Sequence, residues 1–315
     1  MKGKKILIIG GTGALGKTLT EKYYKDNNIV IFSRDEHKHV NLKNKYEDVK
    51  FHIGDVKDKD SKFQALNEYK PDIVINTAAL KHVPVCEDNP YESVKTNIIG
   101  HKNLIDCISL SNHQIETLIF ISTDKACKPI SVYGMCKAIS ERLYVNFAEK
   151  QKDIKVVLVR YGNVLESTGS VIPYFKSLLN KDLDYLPITD EKMTRFLLTL
   201  EQATELIDWA YFHTESHGKI AIPKIKSLKI VDIAKALGKF YGKENIELRE
   251  IGIRPGEKIH EEMISNEEWL RTEEYENFLI TTNVRRYEQK SYNSYDSLMD
   301  SSEAYNFLQK SGVLE

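Results

Sequence analysis

The sequence contains no long apolar run, no excess of either charge and no regular cysteine spacing. Its first apolar run, Ile6–Ile9 behind the N-terminal lysines, is too short for a signal peptide or a membrane span. The 45 basic and 46 acidic side chains nearly cancel, which excludes the basic surplus of a typical nucleic-acid-binding protein. We therefore expect a cytoplasmic protein without nucleic-acid or membrane partners.

Cysteine and histidine are too scattered to form a recognisable site. Nothing suggests secretion, and the four cysteines lack the paired spacing of zinc or disulfide frameworks: Cys86, Cys107, Cys127 and Cys136. The nine histidines show no metal-ligand spacing. The sequence thus predicts a protein of a reducing compartment with no metal site.

The first half of the chain does contain a regular alternation of short apolar runs with amphipathic stretches. The runs are KILIIG, NIVIFS, VKFHIG, DIVINTAA, TLIFIS and IKVVLVRYG. Because Gly, Asp and Ser bound them, they are typical of buried parallel strands. Strands that alternate with helices predict a Rossmann-like α/β fold with a doubly wound parallel sheet.

A glycine-rich turn joins the first predicted strand to the first predicted helix. Its glycines permit a tight turn, close approach of a pyrophosphate and tight packing of the helix on the sheet. The N-terminus of the helix would then face the phosphates. The turn predicts a dinucleotide-binding loop that consists of Gly10, Gly11, Thr12, Gly13, Ala14, Leu15 and Gly16.

The end of the second predicted strand bears on the choice between NAD and NADP. An NAD enzyme usually has an acid directly after this strand, where it binds the ribose hydroxyls. Here Ser33 occupies that place, and Arg34 follows it, which suits a 2′-phosphate. Asp35 and Glu36 come next and keep NAD open. The sequence favours NADP.

Residues after the next two predicted strands complete the cofactor site. Asp55 and Val56 in GDVKD are placed to bracket an adenine, although Asp55 could instead cap the following helix. Ala78 and Ala79 in INTAALKHVP have small side chains that allow close approach of the cofactor. Lys81 follows them in this site, to which Tyr133 and Lys137 are also assigned.

A tyrosine and a lysine stand four residues apart in a predicted helix, so Tyr133 and Lys137 share one helix face. A nearby ammonium and an oxidised nicotinamide would favour the phenolate of Tyr133 and make it a usable base. The YxxxK spacing is common by chance. After a dinucleotide-binding turn, and after a strand that ends in Ser122 and Thr123, it indicates an active site.

The pattern is looser after Gly162 and predicts a smaller, irregular α/β lobe. We divide the chain at residues 165 and 265. Residues 1–165 form the dinucleotide-binding domain, with segments returning from the C-terminal half, and residues 166–265 form a substrate-binding lobe. Residues 266–315 are polar and tyrosine-rich, and we interpret them as a surface tail that is partly mobile.

Ten stretches between residue 8 and about residue 264 carry a family resemblance. They are GGTGALGK, FSRDE, GDVKD, AALKHVP, STDKA, YGMCK, RYGNV, GSVIPYF, PITDEKMTRF and IGIRPGEKIHEEMI. In this order they resemble the extended short-chain dehydrogenase/reductases that act on nucleotide sugars. Within that superfamily, the sequence is most similar to the inverting UDP-N-acetylglucosamine 4,6-dehydratases. The segment beyond residue 266 shows no such resemblance.

The resemblance implies a reaction in three stages on UDP-N-acetylglucosamine. A hydride leaves carbon 4 for NADP, water is eliminated across carbons 5 and 6, and the hydride returns to carbon 6. The product would be a UDP-2-acetamido-2,6-dideoxy-L-hexos-4-ulose for aminosugar or polysaccharide biosynthesis. Tyr133 would act on the carbon 4 hydroxyl, with Lys137 holding the cofactor ribose and Thr123 bonding the same oxygen.

The elimination needs a base for the carbon 5 proton and an acid for the departing hydroxyl. Related retaining dehydratases carry a pair resembling Asp-Glu, whereas this sequence has Asp124 and Lys125. By resemblance Lys125 is the base, so its pKa has to fall, with Lys81 and Lys137 as the expected neighbouring cations. Asp124 has to hold a proton. We interpret the change of base as the origin of inversion at carbon 5.

The resemblance also implies a UDP-sugar site supplied mainly by the second lobe. Arginines suit the diphosphate, and backbone groups of GSVIPYF suit the uracil. Three assignments have alternatives, because Lys81 could be a solvated loop lysine, Met193 ordinary core and Glu257 simply the start of the following helix. The predicted substrate-binding residues are Lys81, Thr123, Asn163, Val171, Ile172, Pro173, Thr189, Met193, Arg195, Arg254 and Glu257.

Two residues depart from the family pattern. Glu166 and Thr168 stand where relatives often carry a small residue and an arginine, which bears on phosphate contacts and aminosugar specificity. A UDP-sugar 4-epimerase, a retaining 4,6-dehydratase and a non-catalytic NADP-sensing module remain alternatives. Lys125 argues against the first two, and the intact Tyr133 and Lys137 argue against the third. The resemblance further implies a homo-oligomer, either a dimer or a hexamer.

Overall fold

The computed structural model of this protein describes residues 1–165, 169–181, 183–275, 278–281, 287–288 and 290–314. Its strands are β1 (Lys5–Ile9), β2 (Asn28–Ser33), β3 (Lys50–Ile53), β4 (Ile73–Asn76), β5 (Thr117–Ile121), β6 (Lys155–Val159), β7 (Asn163–Val164), β8 (Tyr185–Ile188), β9 (Thr194–Leu198), β10 (Ile220–Pro223), β11 (Ser227–Lys229), β12 (Glu247–Glu250), β13 (Glu262–Ile264), β14 (Thr272–Glu274), β15 (Phe278–Thr281) and β16 (Tyr292–Asn293).

The helices are α1 (Ala14–Tyr23), α2 (Glu36–Lys43), α3 (Lys59–Tyr69), α4 (Val83–Asp88), α5 (Pro90–Val94), α6 (Gly100–Leu110), α7 (Val132–Lys150), α8 (Val171–Leu179), α9 (Leu200–Phe212), α10 (Ile230–Phe240), α11 (Asn266–Trp269) and α12 (Ser301–Lys310). A π-helical turn, Lys95–Ile99, joins α5 to α6, and short 3-10 turns lie at Asp124–Ala126 and Thr214–Ser216. Across the described ranges, no helix is both long enough and apolar enough to cross a membrane.

Seven parallel strands form the centre of the main sheet, in the order β3-β2-β1-β4-β5-β6-β10. The chain moves outward in one direction from β1 to β3 and in the other from β4 to β10. Ligands of doubly wound sheets bind at the carboxyl ends of the strands, where these two directions diverge. The predicted Rossmann-like fold is confirmed.

The apolar runs of the sequence are continuous because both faces of this sheet are covered. Leu7 and Ile9 of β1 enter a core that includes residues of α3, α6 and α7. Ile6 and Ile8 enter a second core with residues of α1 and α9. Side chains of a strand alternate between its two faces, so a strand buried on both faces is apolar at every position.

The smaller lobe is built on its own apolar core. The core combines residues of α8, α10 and α12 with residues of β8 and β9, among them Phe175, Leu186 and Leu237. Strand β8 pairs in parallel with β12, and β9 lies between β7 and β11. Strand β10 instead pairs with β6 in the main sheet, so the chain returns to the first domain there.

The C-terminal segment differs from the surface tail expected for residues 266–315. Strand β15 pairs with β10 and β14 pairs with β15, both antiparallel, so the segment extends the edge of the main sheet. Trp269 is buried in the first core, and Leu308 of α12 is buried in the core of the lobe. The polar composition concealed these contacts, because α11 and α12 bury only one and two apolar side chains, respectively.

A fully buried arginine fastens this segment to the first domain. The guanidinium of Arg160, whose side chain is 1% exposed, donates to both carboxylate oxygens of Glu141 in α7 at 3.0 and 2.7 Å. It also donates to both oxygens of Glu268 in α11 at 2.8 Å. Burial alone would raise the pKa of Glu268, but Arg160 outweighs burial and lowers this pKa to about 2.

We expect the substitution Glu268→Gln to lower the free energy of unfolding by about 3 kcal/mol at neutral pH, because it removes one partner of a buried ion pair. The folded-state pKa of Glu268 lies below the unfolded value of about 4.3, so the stabilisation is complete above that pH and is lost as the pH falls toward 2. Urea unfolding of wild type and variant between about pH 2 and pH 7 should show the two converging in acid.

The matched control is Glu267→Gln, since Glu267 is the exposed neighbour in the same helix. We expect it to change the free energy of unfolding by less than about 0.5 kcal/mol. Equal losses in the two variants would contradict the assigned role of the Arg160 network.

Candidate active site

A deep cleft opens at the carboxyl ends of β1, β2, β4 and β5 and continues between the first domain and the smaller lobe. Its volume of about 890 Å³ lies at the upper end of the range typical of small-molecule sites. Both the glycine turn and the Tyr133–Lys137 pair line it. The fold therefore places the predicted cofactor residues and the predicted reactive residues in one cavity.

The glycine turn fits a bound pyrophosphate. Gly10 has a φ of 79°, and a Cβ atom there would lie 2.8 Å from the backbone of Ala78. A Cβ atom at Gly16 would lie 2.4 Å from the Cα atom of Gly11. Helix α1 begins after Gly13 without a side-chain cap, so its free N–H groups face the cleft. Such an N-terminus attracts phosphate through its N–H groups and the helix dipole.

The predicted NADP-selecting residues lie at one end of the cleft. Asp35 caps α2 by accepting from Lys38 N at 3.0 Å and forms an ion pair with Lys38 Nζ at 2.8 Å. The side chain of Arg34 is 69% exposed, and its nearest carboxylate oxygen, in Asp55, is 3.8 Å away. Ser33 accepts from Thr12 at 3.1 Å. Asp35 and Lys38 are thus paired with each other, whereas Arg34 is mostly exposed, and all three line the cleft.

The alternative role of Asp55 as a helix cap is not what the structure shows. Asp58 caps α3 by accepting from two backbone N–H groups, while Asp55 lines the cleft. The neighbouring Val56 is held by the buried Lys62, whose Nζ donates to Val56 O at 2.5 Å and to Gly100 O at 2.7 Å. Burial lowers the pKa of Lys62 to about 8. Lys62 therefore supports the predicted adenine-binding loop from behind.

The loop after β4 is held in place by Asn97, a residue of the π-helical turn. Leu80 N donates to Asn97 Oδ1, and Asn97 Nδ2 donates to Leu80 O, each at 2.8 Å. These two hydrogen bonds fix the stretch that carries Ala78 and Ala79, which line the cleft. Lys81 lines it as well, and burial lowers the pKa of Lys81. π-helical turns occur frequently at functional sites.

Tyr133 and Lys137 lie in the first two turns of α7. Burial raises the pKa of Tyr133, although a hydrogen bond with Thr123 opposes this effect. Burial lowers the pKa of Lys137 to about 7, and its Nζ donates to Ile121 O at 2.5 Å. Tyr133 is therefore a neutral phenol in the free protein, and a cation beside it would be needed to release its proton.

Thr123, Asp124 and Lys125 form a compact loop directly after β5. Asp124 Oδ1 accepts from Thr123 Oγ1 at 3.0 Å and from Lys125 Nζ at 3.1 Å. Asp124 has no exposed surface, and its Oδ2 has no hydrogen-bond partner in the described parts of the chain. Burial raises the pKa of Asp124, as the proposed acid requires. Asp124 lies behind Thr123 and Lys125, which line the cleft.

The environment of Lys125 differs from the one expected. Its Nζ donates to Asn163 Oδ1 at 2.8 Å and lies 3.4 Å from Glu261 Oε1. Burial lowers the pKa of Lys125, but the carboxylates of Asp124 and Glu261 outweigh burial and raise it. The prediction of a depressed pKa is therefore wrong for the free protein, in which Lys125 is an ammonium. Neither of the expected cations is its neighbour, and the nearby cation is Arg195.

Glu261 is a functional candidate that sequence reasoning missed. Its side chain is only 3% exposed, and it lines the cleft beside Lys125. It stands in the stretch EKIHEEMI, which contains several acids, and nothing in the spacing distinguishes this one. Only the fold shows which of them faces the reactive loop.

The predicted substrate residues divide into those at the mouth of the cleft and those in its walls. Arg254 is at the mouth, 54% exposed, and donates to Glu257 Oε1 at 2.5 Å. Arg195 is buried and donates to Thr194 O at 2.7 Å, Ile259 O at 3.1 Å and Lys258 O at 2.9 Å. Both arginines line the cleft.

Four predicted site residues lie outside the cleft wall. Gly11 packs against Ile31, where a Cβ atom would lie 2.8 Å from Ile31 Cγ2. Ile172 is buried in the core of the smaller lobe, because the helix face that it shares with Phe175 is the apolar one. Pro173 and Asp124 also do not line the cleft. Glu166 and Thr168 lie outside the described residues.

The remaining predicted residues converge on the one cleft. They are Gly10, Thr12, Gly13, Ala14, Leu15, Gly16, Ser33, Arg34, Asp35, Asp55, Val56, Ala78, Ala79, Lys81, Thr123, Lys125, Tyr133, Lys137, Asn163, Val171, Thr189, Met193, Arg195, Arg254 and Glu257. Met193 is 4% exposed and belongs to the lobe core as well as to the cleft wall.

A family model described as polysaccharide biosynthesis protein matches residues 6–283 of the chain. The chain belongs to this family. One similar protein is a UDP-N-acetylglucosamine 4,6-dehydratase (inverting) from Campylobacter jejuni subsp. jejuni serotype O:23/36 (strain 81-176). It is 42% identical over 304 residues, which cover 94% of this chain and 88% of the relative.

Two other similar proteins have a lower sequence identity to this member of the polysaccharide biosynthesis family. A UDP-glucose 4-epimerase from Rickettsia felis (strain ATCC VR-1525 / URRWXCal2) is 38% identical over 281 residues, covering 86% of this chain and 80% of the relative. The X-ray structure of Pen from Bacillus thuringiensis has a TM-score of 0.90 at 32% identity, covering 100% of this chain and 99% of that one.

We expect Asn97→Ala to lower the free energy of unfolding by about 1–3 kcal/mol, because Leu80 N–H loses its partner and Leu80 O keeps only the weak donor Cys86 Sγ at 3.6 Å. The control is Asn103→Ala, which loses a single hydrogen bond to Lys57 O and should cost about 1 kcal/mol or less. Urea unfolding measures both. A loss at Asn97 no larger than that at Asn103 would show that the π-helical turn does not hold the loop.

Proposed function

We propose that this protein is an inverting UDP-N-acetylglucosamine 4,6-dehydratase that uses NADP. The observation that carries the proposal is the contact between Asp124 and Lys125, since Lys125 borders the same cleft as Thr123, Tyr133 and Lys137 and Asp124 lies directly behind it. An acid and an amine in contact are what a water elimination needs in addition to an oxidation site. The 42% identity to a dehydratase of this type supports the proposal.

The cofactor supplies a hydride acceptor that later returns the hydride. The chain holds its pyrophosphate at the glycine turn and the N-terminus of α1, which leave room for it. Tyr133 takes the proton of the carbon 4 hydroxyl. Lys137, one helical turn away, favours the phenolate when it is charged, and its pKa of about 7 allows this near neutral pH.

Lys125 and Asp124 then carry out the elimination. A shift of one proton from Lys125 Nζ to Asp124 Oδ1, 3.1 Å away, converts an ammonium and a carboxylate into the required amine and carboxylic acid. Exclusion of water by a bound substrate favours this neutral pair. Lys125 accepts the carbon 5 proton, and the proton of Asp124 reaches the departing hydroxyl through Thr123, 3.0 Å away.

The smaller lobe holds the UDP group. Arg254 at the mouth of the cleft and Arg195 in its wall supply positive charge for the diphosphate. Glu257 accepts from Arg254 and is placed to accept from a ribose hydroxyl as well. Asn163 orients Lys125 by accepting from its Nζ at 2.8 Å.

We expect wild-type protein in heavy water to convert UDP-N-acetylglucosamine into a product that has lost one water, carries deuterium at carbon 5 and has the L configuration there. Lys125→Ala should slow this elimination by about 10²–10⁴-fold, because it removes the base. It should still allow reduction of the cofactor by substrate, which absorbance detects. Mass spectrometry and NMR of the product measure the rest.

The matched control for this experiment is Lys128→Ala, since the Lys128 side chain is 44% exposed and pairs with Glu262. It should turn over as wild type does. A product with the D configuration or without deuterium at carbon 5 would rule out the inverting assignment. Inversion at carbon 4 without loss of water would instead identify a 4-epimerase, the activity named for the Rickettsia relative.

The choice of NADP over NAD forms a separate part of the proposal. Arg34 is exposed at the end of β2, Lys38 lies one helical turn further on, and the intervening Asp35 is engaged as a helix cap. A 2′-phosphate would meet two cations there, whereas the free ribose hydroxyls of NAD would lack an available acid.

We expect Arg34→Ala to weaken NADP binding about ten-fold or more and to leave NAD binding nearly unchanged, because only NADP carries the 2′-phosphate. Titration calorimetry with each nucleotide measures the two affinities. Lys43→Ala, at the exposed end of α2, is the control and should change neither. Equal weakening of both nucleotides by Arg34→Ala would contradict the preference for NADP.

We also propose that the protein is a homo-oligomer. Neighbouring helices α5, α6 and α7 with their π-helical turn present exposed apolar side chains, namely Tyr91 (71%), Ile99 (46%), Met135 (47%) and Ile139 (48%). Exposed apolar side chains concentrated on adjoining elements mark protein interfaces more often than isolated ones do. Sedimentation of the purified protein tests this assembly.

A further inference from the structure

Glu261 is a buried carboxylate for which the backbone structure has no need. Its own N–H donates to Ser294 Oγ at 2.9 Å, and its C=O accepts from Ser294 N at 2.8 Å, so the chain is fixed here without the side chain. The Oε2 atom lacks a hydrogen-bond partner in the described ranges. A carboxylate buried in this way lowers the stability of the fold unless nearby cations pair with it.

Three cations surround this carboxylate. Lys125 Nζ lies 3.4 Å from Oε1, Lys258 Nζ lies 3.6 Å from Oε2, and Arg195 Nε lies 4.0 Å from Oε1. Burial alone would raise the pKa of Glu261, but these cations outweigh burial and lower it. Glu261 is therefore ionised. Of its three partners, only Lys125 belongs to the loop proposed to carry out the elimination.

The ammonium of Lys125 lies between three oxygens. An ammonium has three N–H donors and no acceptor. Three oxygens lie around Lys125 Nζ, in Asn163 at 2.8 Å, Asp124 at 3.1 Å and Glu261 at 3.4 Å. After one proton moves to Asp124, Asn163 Oδ1 and the Glu261 carboxylate still lie next to the amine and restrict its position.

We propose that Glu261 is the positioning residue of Lys125, which holds the amine in its orientation and makes it a stronger base. The inference rests on the proposed function, in which Lys125 accepts the carbon 5 proton. The negative charge of Glu261 stabilises the ammonium that forms in this step. Arg195 opposes this effect. Asp124 adds to it only while it is ionised, and in the proposed cycle Asp124 gains and loses a proton, so its charge is not constant.

The substitution Glu261→Gln tests the proposal, because it keeps the shape and hydrogen-bonding reach of the side chain and removes its charge. Competitive acetylation at a series of pH values, read by mass spectrometry of the peptide with Lys125, measures the pKa of this amine directly. We expect this pKa to fall by about 1–3 units in the variant. Glu261→Asp, which keeps the charge, should restore at least part of the wild-type value.

The matched control is Glu262→Gln. Glu262 is the next residue in the chain, but its carboxylate pairs with Lys128 at 3.2 Å and does not line the cleft. We expect it to leave the pKa of Lys125 unchanged. Thermal unfolding of all variants establishes that each is folded before labelling.

Activity provides the second measurement. The pH dependence of kcat/KM reports the protonation states that the free enzyme must have. The Asp124–Lys125 pair must hold one proton, so activity falls as Lys125 loses it. This falling limb should move to lower pH in Glu261→Gln by the same amount as the pKa of Lys125, and the plateau should fall because the base is weaker. A loss of activity at every pH without a shift is the outcome expected of a merely structural residue and would overturn the proposal.

The labelling result does not depend on turnover, so the two proposals fail in different ways. An unchanged pKa of Lys125 in folded Glu261→Gln contradicts the role of Glu261, even if the protein eliminates water from UDP-N-acetylglucosamine. A shifted pKa together with no turnover of that substrate contradicts the proposed function. The electrostatic link between Glu261 and Lys125 would then be established, but Lys125 would not be the base of this reaction.

Discussion

The arrangement of the reactive loop depends on one buried guanidinium. Arg160 binds Glu141 and Glu268 from the end of β6, and these two carboxylates reach both ends of the loop. Ser122, directly before the loop, donates to Glu141 at 2.5 Å, and Cys127, directly after it, donates to Glu268 at 3.4 Å. Since Glu141 is part of α7, the same network sets the distance between the loop and Tyr133. Breaking it would leave charges buried without partners, which explains why the network confers a single geometry.

The pKa values in the cleft depend on which charged groups are buried together and on the distances between them. Lys125 is held between Asp124 and Glu261, so burial and ion pairing act on its pKa in opposite directions, and ion pairing prevails in the free protein. A substrate that excludes water changes this balance and favours a proton shift to Asp124. At Lys137 burial prevails over the opposing charge of Glu141 and brings the pKa to about 7. Two lysines of one active site thus acquire opposite properties.

The sequence predicted the features that depend on local pattern. The glycine turn, the strand–helix alternation and the Tyr133–Lys137 spacing all lie where expected, because backbone conformation and helical periodicity relate residues that are close in the chain. It failed where distant segments meet. Nothing in the spacing of EKIHEEMI distinguishes Glu261 from its neighbours, and the polar C-terminal segment gave no sign of its place at the edge of the main sheet.

The sequence by itself thus determined the fold class and the glycine turn after β1, and it singled out Asp124 and Lys125 as the proposed acid and base. Only the tertiary structure decided the state of that pair. The pKa of Lys125 depends on Glu261, 136 positions further along the chain, and on the burial that both residues share. The Coulomb energy between two charges depends on their distance in space and on the surrounding dielectric, and neither of these is a property of the order of residues.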